Sequence, residues 1–234
     1  VNELANQILG YADDNLILAQ RLAEWVSWAP DLELDIALGN IALDHLGVAR
    51  SLLTHFGELE GAGRSEDDLA MFRSERDFTN LLIFEQPNGD FGQTLARQLL
   101  IDSYQVGLWE KLAKSEDLVL AGIASKALLE ASYHWQHSLN WTRRLGLGTE
   151  ESKRRVQTGL DAMARFVDEM FDEHPDLRAG FDRRLHSALD QAELSLTHDP
   201  FPRRGGRQGL HTEDLGHLLA EMQSLARAHP GVAW

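Results

Sequence analysis

A chain of 234 residues, 43% of them hydrophobic, can bury a core of its own, and its length fits one domain. Its formal net charge of −15 argues against a general binder of nucleic acid or anionic membrane, whose phosphates it would repel, and suits a protein partner with a basic patch. The absence of cysteine excludes disulfides, zinc–thiolate sites and iron–sulfur clusters; no apolar run reaches the ~20 residues that cross a bilayer, and the opening VNELANQILGYADDN lacks the basic and apolar blocks of a secretory signal, so the expected compartment is the cytoplasm.

The apolar residues repeat at helical spacing. Leu16, Ala19, Ala23 and Val26 form the stripe of a first helix, which Pro30 stops and after which Asp31 caps the next. Ile41, His45, Val48, Leu52 and Phe56 mark the second helix. GELEGAGRSEDD (57–68) is a glycine-rich break, and Ser65 with Asp68 predicts a capping box on a short helix. EQPNGDFG (85–92) is a turn. Phe91, Leu95, Leu99, Val106, Trp109 and Ala113 make the third stripe. SEDL (115–118) caps a fourth helix with Leu120, Ala124, Ala127 and Ala131 on its apolar side. Thr149 caps a helical stretch over about 150–172, which His174-Pro175 breaks, and 177–197 is again helical. HDPFPRRGGRQG (198–209) is irregular, Thr212 caps a last helix with Glu213 and Asp214 in its first turn, and Pro230-Gly231 ends it.

Long helices joined by short turns predict one all-α domain over 1–234: a four-helix core bundle over about 2–146 with C-terminal helices over about 150–230. Bundle cores hold metals and cofactors, so ionisable residues inside the stripes are the informative ones. Asp102 falls within about 20° of Leu95 on the helical wheel and needs a neighbouring Arg or Lys, or a metal, to be buried. His45 lies at the centre of the second stripe, where a hydrogen-bonded core histidine is the ordinary outcome, and Asp44 lies at its edge. In LLEASYHWQHSLNW (128–141), His134 is on the apolar arc, with Glu130 and His137 at its borders and Lys126 placed to pair with Glu130.

The carboxylate-bridged di-iron site of helical bundles needs a Glu from each of two helices and Glu-x-x-His from the other two. Here the residue three after Asp44 is Gly47, the residue three after Glu130 is Tyr133, and His134 is one step, about 100°, out of phase. The first helix offers only Glu24, on its polar side. Carboxylates are present and both required imidazoles are missing. Asp44, His45, Asp102, Glu130 and His134 are therefore a vestigial site or, on another reading, an atypical metal set of an oxygen-activating enzyme.

The blocks NIALDHLGVAR, NLLIFEQPNGDFGQTLARQLLIDS, KALLEASYHWQHSLNWTRRLGLGT and GLHTEDLGHLLAEMQ, with the closing PGVAW, resemble the C subunits of the multicomponent phenylacetyl-CoA epoxidase, also called ring-1,2-phenylacetyl-CoA monooxygenase. The likeness runs nearly end to end. It implies a ferritin-like fold and a structural subunit without metal, paired with a homologous A subunit that carries the di-iron centre. The complex it implies converts phenylacetyl-CoA to the ring-1,2-epoxide with oxygen, NADPH and a separate reductase, opening aerobic phenylacetate degradation. No catalytic residue carries over, because the motif is not in this sequence.

Arg203, Arg204 and Arg207 in RRGGRQG form a basic knot in an acidic chain. Guanidinium forks on flexible backbone suit a phosphate of coenzyme A, a docking contact to an acidic partner, or a solvated linker. A phosphate contact there would make the chain a CoA-ester binding module.

Overall fold

The computed structural model describes residues 3–232. Its helices, in chain order, are α1 (Glu3–Ala23), α2 (Leu32–Glu60), α3 (Glu66–Met71), α4 (Leu82–Glu85), α5 (Phe91–Leu112), α6 (Leu118–Gly146), α7 (Glu150–Val167), α8 (Arg178–Ala192), α9 (Glu213–Met222) and α10 (Ser224–Ala228). Single 3₁₀ turns stand at Glu75–Asp77, Asp168–Phe171, Pro175–Leu177 and Gly206–Gln208. No strand occurs among the described residues; the fold is all-α, consistent with a ferritin-like bundle. The chain forms two compact units, one running through Pro87 and resuming at Gly205, the other spanning Asn88–Arg204. The first boundary falls inside the stretch 2–146 expected to be the core bundle.

In the first unit α1 packs along α2. Ile8, Tyr11, Ala12, Leu16, Ala19 and Leu22 of α1 and Leu34, Leu38, Ile41, Val48, Leu52 and Phe56 of α2 are buried. Removing one such aliphatic or aromatic side chain from water contributes about 1.5–3 kcal/mol. Asp31 caps α2, its carboxylate accepting from Leu34 N at 2.8 Å. Gly61 closes the helix in the left-handed conformation at φ 68°, where a side chain would be strained. The Ser65–Asp68 capping box forms as the spacing predicts. Helix α1 does not reach Val26. It ends at Ala23 and the chain turns, with Ser27 at φ 71° donating its N–H to Asp35 at 2.8 Å. The expected stripe residue Val26 is therefore exposed. The C-terminal helix α9 buries Leu215, Leu218 and Leu219, and Gln223 donates to the carbonyls of Ala70 and Arg73 at 2.9 and 3.1 Å.

In the second unit α5 is packed against α6, α7 and α8 and is buried over most of its length. Asp90, Asp117 and Thr149 cap α5, α6 and α7, each side chain accepting the N–H three residues on. Helix α7 lies almost backbone to backbone on α5: a Cβ at Gly159 would stand 2.7 Å from Gln93 Cα and 2.8 Å from Ala96 Cβ. The expected helix over 150–172 is α-helical to Val167 and finishes as a 3₁₀ turn. His174-Pro175 does break the helix, but Pro175 also opens the 3₁₀ turn that leads into α8. Helix α8 stops at Ala192, short of the expected 197, because Glu193 turns left-handed at φ 53°.

Candidate functional site

In the first unit the polar core is built on α1. Asp13, Asp14 and Asn15 are all buried, although the wheel singled out only Glu24. Asp13 accepts from Thr79 N at 2.9 Å and Thr79 Oγ1 at 3.1 Å, and pairs with both terminal nitrogens of Arg73. Asp14 accepts Leu81 N at 2.7 Å and faces Arg207. Glu24 lies past the end of α1 and takes a hydrogen bond from Arg21, 2.8 Å away. Arg21 also donates to the Glu85 carbonyl at 2.9 and 2.8 Å and to the Asp214 carbonyl at 3.0 Å.

Glu85, whose side chain is wholly buried, collects four donors in place of water. Asn80 Nδ2 is at 2.8 Å, Thr212 N at 2.6 Å, Thr212 Oγ1 at 2.8 Å and His211 Nδ1 at 2.7 Å. Thr212 stands at the N-cap of α9 as expected, but its hydroxyl serves Glu85 rather than the helix. The other ring nitrogen of His211 faces the Phe78 carbonyl at 2.8 Å. Both ring nitrogens meet acceptors, an arrangement that favours the doubly protonated imidazolium. Burial works against the charge, but the Glu85 carboxylate and the Phe78 carbonyl outweigh it and hold the His211 pKa above its ordinary value.

On α2, His45 Nδ1 lies 2.8 Å from Asn15 Oδ1, while Asn15 Nδ2 donates to the Tyr11 carbonyl at 2.8 Å. That orientation of the amide makes His45 Nδ1 the protonated nitrogen. His45 is thus a hydrogen-bonded core residue. Asp44 is half-buried, and Gly47 lies on the outer face with no atom near a would-be Cβ.

In the second unit, α5 and α6 bring Asp102 and Ser138 together. Asp102 is 2% exposed. The cation expected beside it is absent: among the described residues neither Arg nor Lys pairs with it, and its Oδ1 has no partner. Burial pushes its pKa up to about 8, opposed only by the hydrogen bond with Ser138. Burial thus favours the neutral acid at pH 7, beside Ser138, whose hydroxyl also reaches the Trp135 carbonyl at 3.2 Å. His134 is buried one turn away on α6. Glu130 pairs with Lys126 at 3.5 Å, as the spacing predicts. Tyr133 is 58% exposed. Burial, and then the neighbouring His134, lower the pKa of His137. Among the described residues no three His, Asp or Glu side chains converge on one point.

The arginine knot divides. Arg207 is turned inward: its terminal nitrogens pair with Asp14 at 2.9 and 2.7 Å, and Nη1 also donates to the carbonyls of Thr79 at 2.6 Å and Gly10 at 3.2 Å. Those bonds commit its charge within the fold, in place of the expected CoA phosphate or outside partner. Arg204 pairs with Asp172. Arg203 is exposed, and its backbone N–H donates to the Arg165 carbonyl at 2.7 Å. The loop glycines are sites of close backbone approach. A Cβ at Gly206 would stand 2.2 Å from the Asn80 carbonyl oxygen, and one at Gly209 2.4 Å from that of Arg76.

Compared with known proteins, residues 1–234 match the family model described as "Phenylacetic acid catabolic protein". The chain is 43% identical over 249 residues to the C subunit of the 1,2-phenylacetyl-CoA epoxidase of Escherichia coli (strain K12), with 100% of each chain covered.

Proposed function

The chain belongs to the phenylacetic acid catabolic protein family, and we propose that it is a non-catalytic structural subunit of a phenylacetyl-CoA epoxidase, which packs against a homologous catalytic subunit and holds that subunit's di-iron bundle in its working shape. The relative's name, that of an epoxidase subunit, supports a place in such an assembly. The observation that carries the reading is an uncovered apolar face on the first unit. Leu43 is 64% exposed and Trp28 79%, and Ala23, Val26, Ile36, Gly39, Leu43 and Leu46 line a groove of about 490 Å³ between the end of α1 and the first half of α2. An apolar patch of this kind on a surface exposed to water marks a place for a partner. Asp35 lines it, and Glu24 and Asp44 follow the lining residues Ala23 and Leu43 in the chain, so the partner surface carries apolar residues flanked by Lys or Arg.

The donor set supports the absence of chemistry in this chain. Glu130 is engaged by Lys126, and the positions three after Asp44 and Glu130 are an outward glycine and an outward tyrosine. These residues do not fit a carboxylate-bridged iron pair, which needs inward imidazoles at those steps. The role is mechanical: complementary helix packing removes the apolar face from water and restrains the partner's helices.

Co-expression of the chain with a tagged catalytic subunit tests the pairing. Ile36→Asp with Leu43→Asp lowers co-purification at least tenfold while the helical circular dichroism of the chain stays unchanged. Undiminished co-purification of that variant contradicts the assigned face.

A further inference from the structure

Arg204 and Arg207 of the loop are paired with carboxylates of the fold, but another basic cluster keeps donors to spare. In the second unit, the end of α5 and the start of α8 form a groove of about 490 Å³ lined by Lys111, Lys114, Arg183 and Arg184, with Gly107 and Gly180 in its wall. We propose that this groove is a binding site for the phosphate groups of a small-molecule ligand.

The donors carry the inference. Arg184 Nε and Nη2 both donate to the Ser103 carbonyl, at 3.2 and 2.7 Å. This pins the guanidinium and leaves three of its five N–H groups for a ligand. Arg183 has no hydrogen bond or ion pair among the described residues. Lys114 stands 3.8 Å from Glu110, too far for a hydrogen bond, and is largely exposed. Lys111 is held by Asp176 at 2.8 Å and by His174 Nδ1 at 3.2 Å. Four cations thus face two carboxylates, Glu110 and Asp176, in a chain of net charge −15.

The shape fits as well. The groove runs along the junction of the 3₁₀ turn Pro175–Leu177 with the first turn of α8, lined there by Leu177, Ala179 and Gly180. A Cβ at Gly107 would stand 3.0 Å from Arg184 Nη2, so any larger residue there would press on the guanidinium. A pinned guanidinium beside the exposed side chains of Arg183 and Lys114 is the chemistry that recognises a phosphate or pyrophosphate. The inference stands apart from the subunit reading, because it concerns the other unit and asks nothing of iron or of a partner.

Calorimetric titration of the whole chain with inorganic phosphate, pyrophosphate, coenzyme A and dephospho-coenzyme A tests it. Saturable binding, tighter for pyrophosphate than for phosphate and weakened at least tenfold by Lys114→Ala with Arg183→Ala, is the expected result. Both residues are exposed, and circular dichroism of the variant checks the fold. Coenzyme A binding more tightly than its dephospho form assigns the site to the isolated 3′-phosphate; equal binding assigns it to the pyrophosphate. No saturable binding of any of the four, or binding that the variant leaves unchanged, overturns the proposal. Capture of an oligoglutamate peptide at least as tightly as coenzyme A also overturns it, in favour of an acidic protein surface.

Discussion

Arg207 and Asp14, 193 residues apart in the chain, face each other through two parallel hydrogen bonds of 2.9 and 2.7 Å, with their side chains 9% and 2% exposed. The pair fastens the returning C-terminal segment to the middle of α1. Removing the cation leaves Asp14 a buried carboxylate without its opposite charge. Arg207→Ala is therefore expected to lower the unfolding free energy by about 3–5 kcal/mol, read from denaturant melts. Arg207→Lys recovers part of the loss, because one ammonium cannot reproduce the fork.

Asp102 sets a pH dependence. Its folded pKa is raised to about 8, against roughly 3.9 in an unfolded chain. The folded state holds the proton more tightly, so the stabilisation is complete below the unfolded value and is lost as pH rises through about 8. Asp102→Asn keeps the shape without the ionisation. The variant is expected to flatten the fall in stability between pH 4 and 8, on the order of 5 kcal/mol across that window. Denaturant melts of both proteins at several pH values check it, and equal slopes would contradict a neutral Asp102.

His211 acts in a different window. Its pKa is raised above the usual histidine value by Glu85 and the Phe78 carbonyl, against the effect of burial. The stabilisation is whole below the unfolded histidine pKa, about 6.5, and is lost as pH rises through the folded value. Its ring signals in a histidine NMR titration are expected to shift later, on raising pH, than the ordinary histidine value of about 6.5, and Glu85→Gln is expected to abolish the delay.

These three sites differ in how far the sequence announced them. Local rules acted where they reach only three or four residues, so Asp31, Ser65 and Thr149 cap their helices as the spacing predicts, and Lys126 meets Glu130. Asp102 was legible as a buried acid because it interrupts a stripe, yet its partner came out as Ser138 instead of a cation. The cluster around Glu85 was not legible. Asp13 and Asp14 sit on a helix buried on nearly all sides from Gly10 to Ala19, where a wheel that sorts residues into two faces has no polar side to assign. Their partners, Arg73 and Arg207, are separated from them by loops whose course only the tertiary fold decides. Val26 misled for the opposite reason: the apolar period continues past Ala23 after the helix has stopped.

A back-substitution probes the helical phase directly. Tyr133→His places an imidazole three residues after Glu130, but on the exposed face that Tyr133 occupies. It is expected to leave the metal content of the chain unchanged and to alter stability by less than about 0.5 kcal/mol, as for other surface changes. Metal analysis and a thermal melt read both quantities.

The non-catalytic reading meets its most direct test in iron analysis of the two subunits, co-expressed, separated and measured chain by chain. The account predicts iron in the catalytic subunit and none bound stoichiometrically to this chain. An iron pair retained by this chain alone, with the spectroscopic signature of a bridged centre, would contradict it.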